Sequence, residues 1–241
     1  MNRSILITGA SRGIGRAIAI SAAGSGMFNK IVLNSRKNSD ELERTKEIIL
    51  SSSDIEVITS QGDVGDISYV KTLRDTAGEV DVLINNAAIS YTGLLIDMSP
   101  DEWNEIVTTN ISSIYNTCHT FVPDMISRKC GHIINISSVW GEVGASCEVA
   151  YSAAKGAVNS FTRALAKELG PSHIQVNALE LGIVDTDMNS HLNTDEKEAI
   201  CEDIPMGRMA RPEEIGRAVV SLLNMPEYFT GEIVRIDGGW I

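Results

Sequence analysis

Tyr151 and Lys155 lie four residues apart in a segment with a helical pattern, so their side chains share one face. A phenol beside an ammonium is a proton-transfer pair: the positive charge favours the phenolate and brings the tyrosine pKa toward working pH. Ser138, at the end of an apolar run, offers a hydroxyl to an oxygen on which charge develops. Far upstream, Thr8-Gly9-Ala10-Ser11-Arg12-Gly13-Ile14-Gly15 follows the first apolar run and opens a helix. In such a turn Gly9 permits the tight bend, Gly13 lets backbone approach a pyrophosphate, and Gly15 lets the helix pack closely on a sheet. The helix start adds free N–H groups and a positive dipole end. Each residue also has a plain structural reading. Tyr-x-x-x-Lys arises often by chance, Ser138 can cap a strand end, and glycine triplets alone are weak evidence.

Residues so far apart in the chain meet only if a regular scaffold brings them together. Seven short apolar runs read as strands: Ser4–Thr8, Lys30–Ser35, Ile55–Ser60, Val80–Ile84, His132–Ser137, Gln175–Leu179 and Glu232–Ile236. Most are apolar throughout, as strands covered on both faces should be. Between them Gly13–Gly24, Asp40–Ser51, Ile67–Ala77, Asp101–Ser127, Ala150–Leu169 and Pro212–Leu223 read as helices. This alternation predicts an α/β fold, a Rossmann-like doubly wound parallel sheet of about seven strands with helices on both faces. The 241 residues suit one domain, with no repeat or linker. The polar segment Asp187–Ile204 breaks the rhythm above the carboxyl ends of the strands, where ligands bind. It reads as a lid or as an ordinary surface helix.

A formal net charge of −12 opposes nucleic acid and anionic membranes as partners. No apolar run approaches a bilayer span, and Ser4-Ile5-Leu6-Ile7 is too short for a signal-peptide core, so a cytoplasmic location is expected. Cys118, Cys130, Cys147 and Cys201 form no Cys-x-x-Cys pair and no metal-ligand spacing with histidine. They read as reduced thiols, with no metal expected.

The spacing of Gly9, Gly13 and Gly15 resembles that of the short-chain dehydrogenase/reductase family, and the rest of the chain agrees. Asp63-Val64 matches the family's adenine-contacting pair. Asn85-Asn86-Ala87-Ala88 matches its Asn-Asn-Ala-Gly signature with Ala88 in place of glycine. Asn110, Ser138, Tyr151 and Lys155 fall at its catalytic spacings. The resemblance implies reduction of a carbonyl: a nicotinamide supplies the hydride and Tyr151 the proton. It also implies that Lys155 holds the nicotinamide ribose and that Asn110 holds a water for proton resupply. Leu33-Asn34-Ser35-Arg36-Lys37 carries no acid to grip a ribose 2′-hydroxyl. Arg36, with Arg12 in the turn, suits a 2′-phosphate, so NADPH is the expected cofactor. Past the sixth strand Gly182, Val184 and Thr186 match the nicotinamide-contacting loop. Leu181 replaces the usual proline and Glu180 a small residue, placing a negative charge near the nicotinamide.

The Arg208–Ile215 stretch and the Gly231…Asp237-Gly238-Gly239 ending resemble the 3-oxoacyl-(acyl-carrier-protein) reductase branch. This implies a small-molecule or carrier-bound 3-oxoacyl thioester as substrate and a homotetramer, with Arg128-Lys129 as a small basic landing patch. The segment Ser138–Val149 carries Trp140, Cys147 and Glu148, which are expected to line the substrate pocket. It is similar instead to a branch reducing 5-aminopentanone on elongation factor P, where an aromatic face and a carboxylate suit an amine. The altered Glu180-Leu181 pair admits a third reading, a non-catalytic NADP-binding sensor or scaffold.

Overall fold

The computed structural model describes residues 3–190 and 192–241. Seven parallel strands form one sheet: β1 (Ser4–Ile7), β2 (Lys30–Ser35), β3 (Glu56–Gln61), β4 (Val82–Asn85), β5 (Gly131–Ser138), β6 (Ile174–Leu181) and β7 (Ile233–Ile236). Their spatial order is 3-2-1-4-5-6-7. The order reverses between β1 and β4, and it is outside the carboxyl ends of these two strands that such sheets bind ligands.

Alternation within the strands sends side chains to two layers. Ile5 and Ile7 of β1, with Ile31 and Leu33 of β2, join one core under α1 (Gly13–Gly24), α2 (Ser39–Leu50) and α9 (Pro212–Leu223). Leu6 and Val32 join the other, under α3 (Ile67–Ala77), α5 (Ser113–Arg128) and α7 (Val149–Leu169). Helix α9 lies directly on α1: a Cβ on Gly216 would stand 2.5 Å from the Ala17 carbonyl oxygen, so only glycine permits the approach.

Three differences from the sequence reading concern the site. The single helix expected over Asp101–Ser127 is α4 (Pro100–Val107), a π-turn over Thr108–Ser112, and α5. One extra residue is inserted there, and Asn110 sits in it. Strand β6 runs on to Leu181, so Glu180 and Leu181 are buried strand residues rather than loop residues. A short α6 (Trp140–Val143), unforeseen in the sequence, follows β5, and the expected lid segment contains α8 (Thr194–Asp203). Residue 191 of that segment lies outside the described residues.

Candidate active site

A cavity of about 650 Å³ opens over the carboxyl ends of the central strands. The Gly-rich turn forms one end. Gly9 and Gly13 adopt left-handed φ values of 65° and 54°, a region glycine enters at no steric cost. A Cβ on Gly15 would stand 2.2 Å from the Gly9 carbonyl oxygen, so the helix can start against the turn only without a side chain. Asn86 fixes this turn to β4: its side-chain amide donates to the carbonyls of Thr8 (2.9 Å) and Gly9 (3.1 Å). Ser11, Arg12, Ile14, Arg36, Asp63, Val64 and Ala87 continue the wall. An open floor of backbone beneath a helix start, with two arginines at its rim, fits a dinucleotide carrying phosphate.

Neither arginine stands alone. Arg36 lies 3.0 Å from Glu105 and 3.7 Å from Asp63, and Arg12 lies 3.3 Å from Asp187. Asp63 also accepts the Gly65 N–H at 2.8 Å, which shapes the turn after β3.

Ser138, Tyr151 and Lys155 line the same cavity near its middle. Tyr151 and Lys155 stand on α7, and Ser138 ends β5. A buried chain holds α7 in place: Asn85 donates to Asn135 at 2.8 Å, and Asn135 donates to Thr162 of α7, also at 2.8 Å. Lys155 is buried and its ammonium donates to the Ile136 carbonyl at 2.8 Å. It sits 5.5 Å from the Tyr151 ring centre, and burial brings its pKa down to about 8. Tyr151 keeps part of its surface open to the cavity, yet its phenol is pushed well above its ordinary range. Burial is the main cause and the Glu148 charge the second; a hydrogen bond with Ser138 works in the opposite direction. This differs from the expectation that the lysine would lower the phenol. Burial around the ring and the Glu148 carboxylate together disfavour the phenolate. A phenol held protonated is suited to donate.

Asn110 and Asn85 are buried outside the cavity lining. Asn110 accepts the Ile89 N–H at 2.9 Å and donates to the Ile89 carbonyl at 2.8 Å, bracing the loop after β4. Gly182, Val184 and Thr186 do line the cavity. Glu180 does not: it is 1% exposed, accepts from Asn159 at 2.9 Å and pairs with Arg235 at 3.1 Å. Its charge is neutralised inside the fold rather than presented to a nicotinamide.

The far end is lined by Trp140, Glu148 and Trp240. Trp240 escaped the sequence reading. The two indoles meet edge to face with centres 5.0 Å apart. Arg235 ties this end together, pairing with Glu142 of α6 and donating to the Ile241 carbonyl at 2.6 Å. The signal for Trp240 lay in Gly238-Gly239, whose φ values of 71° and 82° turn the chain end back toward the cavity. Cys147 is outside the lining; its backbone carbonyl accepts the Gly93 N–H at 2.8 Å. From the lid segment, Met188, Leu192 and Ile200 reach the cavity. Arg128, half of the expected basic patch, is paired with Glu79 at 2.9 Å and Asp81 at 3.3 Å.

Among the described residues no acidic, histidine and cysteine cluster could hold a metal, and no helix is long and apolar enough to cross a membrane. The short chain dehydrogenase family model matches residues 3–197. An uncharacterized oxidoreductase of Bacillus subtilis (strain 168), YmfI, is 39% identical over 242 residues, covering 100% of this chain and 99% of its own. The 3-oxoacyl-(acyl-carrier-protein) reductases FabG of Vibrio harveyi and Salmonella typhimurium are 37% and 38% identical, each covering 97% of this chain and 95% of its own. With the parallel sheet and the cavity at its switch point, these matches make the chain a member of the short-chain dehydrogenase family, an oxidoreductase acting on CH–OH and C=O groups.

Proposed function

We propose that this chain reduces a 3-oxoacyl thioester to the 3-hydroxy thioester with NADPH. The observation that carries the reading is a single cavity lined both by a phosphate-suited glycine turn and by the Ser138, Tyr151 and Lys155 side chains. When bound, the nicotinamide supplies the hydride. In this reading Ser138 and Tyr151 hydrogen-bond the substrate oxygen, and Tyr151 delivers its proton as negative charge develops there. Lys155, charged below about pH 8, holds the ribose and steadies the phenolate left behind. Arg36 and Arg12 give NADPH its advantage over NADH. The thioester reading draws on the relatives named 3-oxoacyl-(acyl-carrier-protein) reductase.

The same reading takes the chain as a single domain that assembles as a homotetramer. Trp103 and Tyr115, exposed on α4 and α5, offer apolar surface for a partner copy to cover.

The far end of the cavity favours a second reading. Two tryptophans and the Glu148 carboxylate suit a carbonyl compound bearing an amine, such as 5-aminopentanone on elongation factor P. Steady-state NADPH oxidation with acetoacetyl-CoA and with a free amino-ketone separates the two. Rapid thioester reduction that Glu148→Gln leaves unchanged supports the first reading. Amino-ketone reduction lost selectively in Glu148→Gln and Trp140→Leu would replace it with the second. Cofactor binding without turnover of either substrate would overturn both.

A further inference from the structure

The arginine assigned to the 2′-phosphate is already engaged. Arg36 follows β2 directly, and its guanidinium lies between two carboxylates on separate elements, Glu105 of α4 at 3.0 Å and Asp63 beyond β3 at 3.7 Å. The contact with Glu105 is a direct charge-assisted hydrogen bond from one Nη of Arg36. Two carboxylates around one guanidinium offset the charge of Arg36, leaving Lys37 as the neighbouring cation of the cavity lining. A ribose 2′-phosphate carries about −1.5 to −2 at neutral pH. It therefore meets a guanidinium whose best-aligned edge is occupied, with a carboxylate beside it that repels the phosphate. The carboxylates differ in their other ties. Asp63 also shapes its turn through the Gly65 N–H, whereas Glu105 stands on an exposed stretch of helix, about half accessible, where its side chain can swing aside.

We propose that Glu105 sets cofactor specificity by competing with the 2′-phosphate for Arg36. It weakens NADPH binding, leaves NADH binding untouched, and narrows the preference that two arginines would otherwise give. This rests on the NADPH reading above and adds a residue outside the Gly-rich turn and the end of β2. The Glu105 carboxylate yields its place on Arg36 as the phosphate arrives, so each NADPH bound breaks one ion pair that an NADH leaves intact. The pair is partly exposed, where such contacts are worth little. The effect is accordingly a modest adjustment of affinity and fades as salt screens it.

The test is equilibrium titration of NADPH and NADH, followed by nicotinamide fluorescence. It compares wild type, Glu105→Gln, Arg36→Ala, the double variant, and Asp75→Asn as a remote charge control on α3. Glu105→Gln should tighten NADPH about two- to fivefold at low salt, the range of a partly exposed ion pair. It should leave NADH unchanged, and the gain should vanish in the Arg36→Ala background. Asp75→Asn should change neither cofactor. An unchanged or weakened NADPH affinity in Glu105→Gln overturns the proposal, as does an equal gain from Asp75→Asn. If wild type shows no preference for NADPH and Arg36→Ala loses both cofactors equally, the cofactor reading itself fails. A preference that persists while Glu105→Gln does nothing removes only the role of Glu105.

Discussion

At the Gly9–Gly15 end of the cavity the wall is backbone, brought close because a Cβ on Gly15 would collide with the Gly9 carbonyl. At the opposite end Trp140, Glu148 and Trp240 build the wall from side chains contributed by three separate segments. The first end is a local motif: eight consecutive residues fold into it and Asn86 pins it down. The second exists only once β6, α6 and the C-terminal turn have been assembled around Arg235. The contrast teaches that the glycine end, proposed to hold the cofactor, tolerates little change in shape. The tryptophan end, proposed to hold the substrate, is built from side chains that can vary with less effect on the backbone.

The largest effect that would break this comparison lies between the two ends, at Lys155. Lys155→Met keeps the stem and removes the charge. It should cut turnover by about 10²–10⁴-fold, the usual share of acid–base catalysis, and weaken NADPH as well. In wild type, NADPH affinity should fall as pH rises through about 8, where Lys155 loses its proton, and Lys155→Met should abolish that fall. Fluorescence titrations from pH 6.5 to about 9.5 check both points. The depressed pKa also fixes a stability slope. Between about pH 8 and the ordinary lysine value of 10.5, the unfolded chain keeps a proton the folded chain has released, so this group's contribution to stability rises with pH.

Arg36→Ala comes next. Losing a charge-assisted phosphate contact should cost roughly 1.5–3 kcal/mol of NADPH affinity, about ten- to a hundredfold, with NADH almost unchanged. Equal losses for both cofactors would place Arg36 outside the phosphate site. The smallest effect belongs to the far wall. Trp240→Leu should raise KM for acetoacetyl-CoA by a few-fold at most while kcat and NADPH affinity stay near wild type, because only substrate packing changes. A matching loss of NADPH affinity would mean that the two ends are not separable.

What could be read from the chain follows the same division. Strands β1 and β2 announce themselves as apolar runs because both faces of the sheet are covered. The Gly-rich turn is legible because its geometry demands residue types at fixed spacing. Asn110 could be picked out, but not the π-turn that carries it, since no glycine or proline in Thr108–Ser112 marks the change of helix type. Glu180 misled for an electrostatic reason: its partner Arg235 lies 55 residues away on the neighbouring strand, and nothing local shows that the charge is neutralised. Trp240 is marked in the chain only by the neighbouring Gly238-Gly239, and its place in the cavity follows from the fold of that turn.

The central claim is that Tyr151 gives the proton in a cavity that holds the cofactor independently of it. The most direct measurement sets NADPH affinity beside NADPH-oxidation rate with acetoacetyl-CoA, in wild type and in Tyr151→Phe, which removes one hydroxyl and keeps the ring. The account predicts unchanged affinity and a rate at least about a hundredfold lower, at every pH below about 8. Near-normal turnover in Tyr151→Phe would contradict it.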